Sequence, residues 1–366
     1  MRFALVTTNL RGGGAEKAML NLADLLQRRG HGVELILLDD AAEHAVPAGI
    51  VPRIVAQPGH RSGKGWLGKR IAAWRLRRLW QRLDDEHRFD LTVSTLPYCD
   101  EVVRLARLPR VRYRIANTLS AEIAMLARRK SGKSGRRRRR YCAMYEGQGL
   151  IAVSAGVAAD LRGGLGLRGA DIDVVRNPFD IGAIRALAAQ PEPELPLEPY
   201  IVHVGRYVPQ KRHDLLLDAF RASQLPHHLV LLAEPSAELA RLIGERSLAG
   251  RVTVAGFRRN PYPWIARADL LVLCSDHEGM PNVLVEALIC GTRVVSTDCP
   301  SGPAEVLEGG LARYLVPCGD VAALAGAMRN ALADPRPEAG GRLRDFAADH
   351  VAERYEALAG RTAGGG

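Results

Sequence analysis

The chain lacks several features that would place it quickly. In its 366 residues no apolar run approaches the ~18 residues of a membrane-spanning helix, so none is expected. The opening MRFALVTTNLRGGGAE has too short an apolar run for a secretory signal, and glycines and charges come directly after it; it reads as a buried first strand. Cysteine is sparse. Cys99, Cys142, Cys274, Cys290, Cys299 and Cys318 form no C-x-x-C pair and share no metal-ligand spacing with histidine. A disulfide scaffold and a zinc site are both disfavoured, and a reducing cytoplasm is the expected setting. No tandem repeat with a period of about 20–50 residues is present.

The chain does have an ordinary globular balance, 47% hydrophobic and 25% charged, in a length that suits two domains better than one core. The net charge of +11 is unevenly placed. Residues 1–175 hold 31 Lys/Arg against 17 Asp/Glu, a balance of +14, and the remainder holds 20 against 23, or −3. The first half should therefore meet something anionic: nucleic acid, a phosphorylated substrate or a membrane surface.

The pattern along the chain is strand, glycine-rich turn, helix, strand. RFALVTT runs into RGGGAEKAMLNLADLLQRRGH, where Ala18, Leu22, Leu25 and Leu26 fall at helical spacing and Gly30 can close the helix; GVELILLDD is the next strand. LTVSTL, VRYRIAN and GLIAVS are further strands. This predicts a first parallel α/β domain over residues 1–178. The segment 179–198, rich in proline and glutamate, reads as a linker. Strands and helices then alternate again from YIVHVG to TRVVSTD, a second doubly wound domain over 199–340, and residues 341–366 supply a last helix and a frayed tail. Two such Rossmann-like domains in series imply a cleft between them, with ligands beyond the carboxyl ends of the strands.

Three clusters at strand ends can carry chemistry. Gly12, Gly13 and Gly14 let backbone N–H groups approach an anion at a helix start, although the run lacks a full G-x-G-x-x-G and a tight turn without ligand explains it too. In VHVGRYVPQKRHD, Arg206 and Lys211 can clamp a diphosphate and neutralise it as a leaving group; taken alone they equally suit solvated surface cations. In DHEGMPNVLVEAL, Pro281 and Asn282 mark a helix start. Glu278 then lies in the preceding loop and Glu286 in the second helical turn. The first can accept hydrogen bonds from sugar hydroxyls and the second can bind a vicinal diol. Ordinary helix-start glutamates remain the plain alternative.

Taken in order and spacing, GGGAEK, LIAVSAGVAADL with IDVVRNPFD, VGRYVPQK, the segment 260–298 and SGPAEVL resemble glycosyltransferase family 4, retaining enzymes with the GT-B fold, over nearly the whole chain. The resemblance implies that Arg206 and Lys211 hold the donor diphosphate, that Glu278 stands near the transferred sugar and that Glu286 binds the nucleotide ribose. It implies backbone contacts to the donor at Met280, Pro281 and Asn282, and to phosphate and acceptor at Gly13 and Gly14. It also implies independence from metal and from any cofactor, the nucleotide-sugar being a substrate. Many members carry a histidine near the sugar, where RIANTLSAE has Asn117 and Thr118; Asn117 can hydrogen-bond sugar or acceptor but cannot do the same proton work.

Two basic stretches remain. KGWLGKRIAAWRLRRLWQRLDDE, residues 64–86, interleaves three tryptophans with seven Lys/Arg, which suits an anionic membrane surface. ARRKSGKSGRRRRRY is low in complexity, and a solvated basic loop and lipid binding are both open for it. Nucleic acid is not expected, because no stacking platform or recognised binding module accompanies the arginines. The sequence is thus expected to encode a cytoplasmic enzyme, peripheral at the inner face of the membrane. It would move a hexose or N-acetylhexosamine from a UDP-sugar to a lipid-linked or cell-envelope glycan. The alternatives are another GT-B enzyme, such as a nucleotide-sugar epimerase, or a catalytically silent membrane-surface protein.

Overall fold

The computed structural model describes residues 1–11, 13–41, 46–56, 63, 65–84, 89–128, 132–336 and 341–363. It divides into two compact units, Met1–Pro178 with Asp345–Gly366, and Phe179–Arg344.

Unit 1 holds seven strands: β1 (Arg2–Thr7), β2 (Gly32–Leu37), β3 (Arg53–Ile54), β4 (Leu91–Thr95), β5 (Val111–Ile115), β6 (Gly149–Ala152) and β7 (Asp171–Val174). They form one sheet in the order β3-β2-β1-β4-β5-β6-β7, with every pair parallel. Unit 2 holds β8 (Tyr200–Val204), β9 (His228–Leu232), β10 (Val252–Val254), β11 (Leu270–Leu273), β12 (Arg293–Thr297) and β13 (Leu315–Val316). These too form a parallel sheet, ordered β10-β9-β8-β11-β12-β13. Parallel strands are covered on both faces, so they read as continuous apolar runs. β4 and β11 are buried along their whole length. In each sheet the strand order reverses once, between β1 and β4 and between β8 and β11, and the carboxyl ends at that reversal are where such folds collect ligands.

In unit 1 the glycine turn, Asn117 and the basic surface are framed by five helices: α1 (Gly14–Arg28), α2 (Trp66–Asp84), α3 (Pro97–Ala106), α4 (Leu119–Arg128) and α5 (Lys133–Tyr145). α1 buries Ala18, Met19, Leu22, Leu25 and Leu26 on one stripe, and Gly30 at φ +82° takes the chain out of the helix. The last helix, Ala348–Ala363, returns to unit 1, where Val351, Tyr355 and Leu358 join the core beneath α1. Glu356 of that helix accepts from Arg29 Nε and pairs with His31 Nε2, both at 2.8 Å. The sequence pattern announces this helix but not which domain it completes.

Two readings of the basic stretches change. Lys133–Tyr145 is helix, not loop, because arginine is a good helix former and Tyr141, Met144 and Tyr145 give the segment a buried side. Arg137 donates to Glu122 at 2.5 Å, Arg138 to the carbonyl of Gly164 at 2.8 Å, and Arg140 to Glu101. Arg136 and Arg139 remain exposed, and residues 129–131 lie outside the described residues. In α2 the three tryptophans part company. Trp80 is core, 7% exposed and against Phe89, whereas Trp66 and Trp74 are 73% and 60% exposed. The short β3, β7 and β13 are not among the strands the sequence predicts; two to four residues carry no readable period.

Candidate active site

In unit 2 the loops that leave β8 and β11 are held together. β8 ends at Val204, and the loop after it closes in a short 3-10 turn, Pro209–Lys211. β11 ends at Leu273, and residues 274–281 lead to the helix Asn282–Ile289. The backbone N–H of Asp276 donates to the carbonyl of Gln210 at 2.9 Å, and Gln210 Nε2 donates to the carbonyl of His277 at 2.6 Å. Arg212 sits at φ +50°, a costly backbone for a residue with a Cβ. Its guanidinium holds Asp214 through Nη2 at 2.9 Å and Asp276 through Nη1 at 2.9 Å, fixing one loop against the other.

On this frame Lys211 Nζ reaches Glu278 Oε1 at 2.5 Å, and Ser275 Oγ donates to the same oxygen at 2.6 Å. Glu278 is 7% exposed. The backbone N–H of Glu278 in turn donates to the carbonyl of Pro300 at 3.2 Å. That third loop comes close because Gly302 stands at φ +96°, where a Cβ would collide with Pro281 and crowd the carbonyl of Gly279 at 3.1 Å. Glu286 lies in the second turn of its helix, also buried, and accepts from Tyr262 Oη at 3.3 Å. Asn282 is the first helical residue and Pro281 caps it, while the N–H of Asn282 bonds the carbonyl of Met280 at 2.9 Å. Arg206 is exposed and, among the described residues, has no ion-pair partner. Lys211 and Glu278 are thus brought together; Arg206 stays apart from them, and Glu286 has a different partner.

Beneath Lys211 two histidines are packed without charge. His203 Nδ1 lies 2.9 Å from the carbonyl of Val272, its ring meets that of His213 edge-on at 4.8 Å, and His213 meets Tyr207 at 5.2 Å. Among the described residues, His203 Nε2 and both ring nitrogens of His213 are buried with no hydrogen-bond partner. Burial, reinforced by the charge of Lys211, pushes the His213 imidazole down to about 4, and burial holds His203 well below the usual histidine range. Cys274 is buried against the carbonyls of Lys211 and Arg212, at 3.3 and 3.4 Å, and burial pushes its thiol up to about 12.

In unit 1 the glycine turn comes after β1, with Gly12 outside the described residues. Gly13 is the cap of α1, and Glu16 folds back over it, so a Cβ there would collide with the Glu16 carboxylate. Gly14 is the first residue of that helix. Asn117 lies just after β5, and its Oδ1 accepts from the N–H of Thr118 at 3.0 Å. The sequence alone does not single out Gln210, Arg212, Ser275, Asp276, Tyr262 or Gly302. KRHD and SDHE carry opposite charges, but that their loops are neighbours follows from the pairing of β8 with β11 and is not written in the sequence.

Two family models divide the chain, Glycosyltransferase Family 4 over residues 12–182 and Glycosyl transferases group 1 over residues 198–334. Among curated proteins the chain is 26% identical over 303 residues to a Campylobacter jejuni enzyme, and the match spans 81% of each chain. That enzyme is N-acetylgalactosamine-N,N'-diacetylbacillosaminyl-diphospho-undecaprenol 4-alpha-N-acetylgalactosaminyltransferase. The chain is 30% identical over 191 residues to the lipopolysaccharide 1,6-galactosyltransferase of Escherichia coli, over half of each. Sucrose-phosphate synthase from Thermosynechococcus elongatus shares its fold with a TM-score of 0.77 at 19% identity, over the whole of both chains. An Anabaena structure in complex with UDP and glucose gives 0.72 at 20% identity, over 98% of each chain. At these identities the structural likeness shows the fold alone. The two Rossmann-like units and the two matched domains define a glycosyltransferase of the GT-B fold. The chain belongs to glycosyltransferase family 4.

Proposed function

We propose that the protein is a retaining glycosyltransferase. It moves a hexose or N-acetylhexosamine from a UDP-sugar to a lipid-linked or cell-envelope glycan, without metal or other cofactor, at the inner surface of a membrane. The observation that carries this reading is the Lys211–Glu278 pair at the strand reversal of unit 2, inside the matched group 1 domain. When the donor enters, Lys211 exchanges a carboxylate for the diphosphate, and Glu278 exchanges an ammonium for sugar hydroxyls. Arg206, exposed on the same loop, adds a second cation to the diphosphate, and Glu286 takes the ribose hydroxyls. Gly13 and Gly14 in unit 1 are assigned to the donor phosphate and the acceptor, and Asn117 to the acceptor or the sugar.

The chemistry comes from these roles. The acceptor hydroxyl attacks the anomeric carbon from the face that the diphosphate leaves, the glycosidic C–O bond to phosphate breaks, and the hydroxyl proton passes to the departing phosphate oxygen. The configuration is retained. Lys211, Arg206 and the start of the helix Asn282–Ile289 stabilise the charge that grows on the leaving group, a contribution of about 3–4 kcal/mol per well-placed donor.

The C. jejuni relative is named for a diphospho-undecaprenol substrate and the E. coli relative for lipopolysaccharide, which supports an envelope acceptor. Membrane association rests on α2, where Trp66, Leu67, Ile71 and Trp74 are exposed among arginines, with Arg70 over the Trp66 ring at 5.0 Å and Arg78 over Trp74 at 5.6 Å. Among the described residues no helix is long and apolar enough to cross a membrane.

The test is a thermal-shift screen against UDP- and GDP-sugars, followed by transfer assays with the sugars that bind and by determination of the product anomer. Binding of a UDP-sugar, with transfer and retention, is expected. Release of an epimerised sugar nucleotide without acceptor would replace the reading by an epimerase. Vesicle binding without affinity for any sugar nucleotide would replace it by a silent membrane protein.

A further inference from the structure

Two cavities adjoin inside unit 1, and they differ in chemistry. The first, of about 550 Å³, opens at the carboxyl ends of β1, β2 and β4. Its wall is mixed: Asn9, Asp39, Tyr98, Glu122 and Tyr141 line it together with Arg11, Lys69, Arg137 and Arg140. The second, of about 680 Å³, lies among α2, α3 and α5 and is strongly cationic. Arg70, Arg77, Arg104 and Arg107 line it beside the exposed Trp74 and Leu105, and Glu101 is its one acidic lining residue among the described residues.

Arg140 lines both cavities; Lys69 lines the first and Glu101 the second. At this shared wall Glu101 Oε2 accepts from Lys69 Nζ at 2.8 Å and from Arg140 Nη2. One carboxylate thus bridges two cations, and among the described residues Arg140 Nε is buried there without an acceptor. The triad is only partly buried, so solvent and a ligand can reach it, and the surrounding arginines outnumber the bridging anion. An anion with more oxygens than a carboxylate would engage more of these donors at once.

We propose that this wall is the phosphate site for the acceptor: a lipid-borne phosphate or diphosphate displaces Glu101 from Lys69 and Arg140. Its apolar tail lies over the exposed face of α2, and its glycan enters the mixed cavity. The proposal rests on the lipid-linked reading of the acceptor and goes beyond it by naming the residues and the charge that select it. Carboxylates, tyrosines and arginines together suit sugar hydroxyls, whereas the cationic cavity suits phosphate. Glu101 acts as a built-in competitor, so an acceptor lacking the phosphate meets a closed ion triad.

The experiment titrates the full chain with farnesyl diphosphate, a soluble amphiphile with the required phosphate, and with farnesol as its uncharged counterpart. Calorimetry is expected to show diphosphate binding that exceeds farnesol binding at least tenfold. Arg140→Ala and Lys69→Ala should each weaken it about tenfold. Glu101→Gln should tighten it severalfold, an effect that simple loss of structure does not produce. Thermal melts of each variant, and UDP affinity equal to the parent, check that unit 2 and the fold are intact. Equal affinity for farnesol and farnesyl diphosphate, or unchanged affinity in all three variants, overturns the proposal. If the variants lose binding to phosphatidylglycerol vesicles but not to farnesyl diphosphate, the wall reads bulk lipid headgroups and the acceptor assignment falls. Farnesyl diphosphate binding in a protein with no affinity for any sugar nucleotide would remove the transferase reading and leave this site standing.

Discussion

Lys211 Nζ and Glu278 Oε1 stand 2.5 Å apart in unit 2, on loops that leave strands β8 and β11. Sixty-seven positions separate them in sequence. Glu278 is buried, and Lys211 is its counter-charge. Removing Lys211 takes the counter-charge from a buried carboxylate, although Ser275 still donates to it. Lys211→Ala is therefore expected to cost both activity and stability. Transfer should fall about 100- to 1,000-fold, and stability by roughly 1–3 kcal/mol. Glu278→Gln should reduce transfer with a smaller loss of stability. Steady-state kinetics and urea unfolding of both single variants and the double variant check this; additive losses would sink the coupling between the two residues.

His213 makes a prediction about acid. Its folded-state pKa, pushed down to about 4, lies below that of the unfolded chain, so the folded state refuses a proton that the unfolded state accepts. Stability is therefore full above about pH 6.5 and is lost as pH falls towards 4, by roughly 2–3 kcal/mol. Among the described residues neither ring nitrogen has a hydrogen-bond partner, so His213→Phe should be neutral or stabilising at pH 7 and should flatten this acid limb. Urea midpoints at pH 7 and pH 5 decide it.

Asp100 in α3 gives the opposite slope. It is fully buried, accepts from Ser94 Oγ at 2.6 Å and Tyr145 Oη at 2.7 Å, and burial pushes its carboxyl up to about 7. The folded state holds the proton that the unfolded state releases near pH 4. Its contribution to stability is present in acid and is lost as pH rises from about 4 to 7, by roughly 4 kcal/mol at most. Asp100→Asn should abolish that loss, leaving a flatter profile across the same range. An unchanged profile would show that the carboxylate is solvated in solution.

The two kinds of tryptophan in α2 predict a clean separation. Trp66→Ala and Trp74→Ala should leave the melting temperature within a degree or two of the parent, yet weaken flotation with anionic vesicles. Trp80→Ala should destabilise by about 3–5 kcal/mol through the cavity it leaves. Vesicle binding that survives loss of both exposed tryptophans would move the membrane contact elsewhere.

Gly302→Ala tests the loop packing around Glu278. The added Cβ meets a left-handed backbone and the Pro281 ring at once, so a loss of roughly 1–3 kcal/mol is expected, with weaker UDP binding than the melting shift alone explains. UDP affinity equal to the parent would separate the Gly302 loop from the donor site.

The sequence by itself determined the alternation of strand and helix, the two parallel domains, the strand-end loops that carry Arg206, Lys211 and Glu278, and the helix that carries Glu286. These are local: apolar runs such as FALV in β1 and LLVL in β11 mark buried strands, and proline with asparagine marks the helix start at 281–282. Tertiary structure decided the partnerships. Glu278 went to Lys211 and Ser275, and Glu286 to Tyr262; Arg212 gave up a favourable backbone to hold two loops. It also turned the arginine run into a packed helix, sent Trp80 inward while Trp66 and Trp74 faced out, and returned the last helix to the first unit. The physical reason is the same in each case. Residue type and period say which side chains seek burial or a counter-charge, but which ones meet depends on strand order in the sheet, and no short window of sequence records that order.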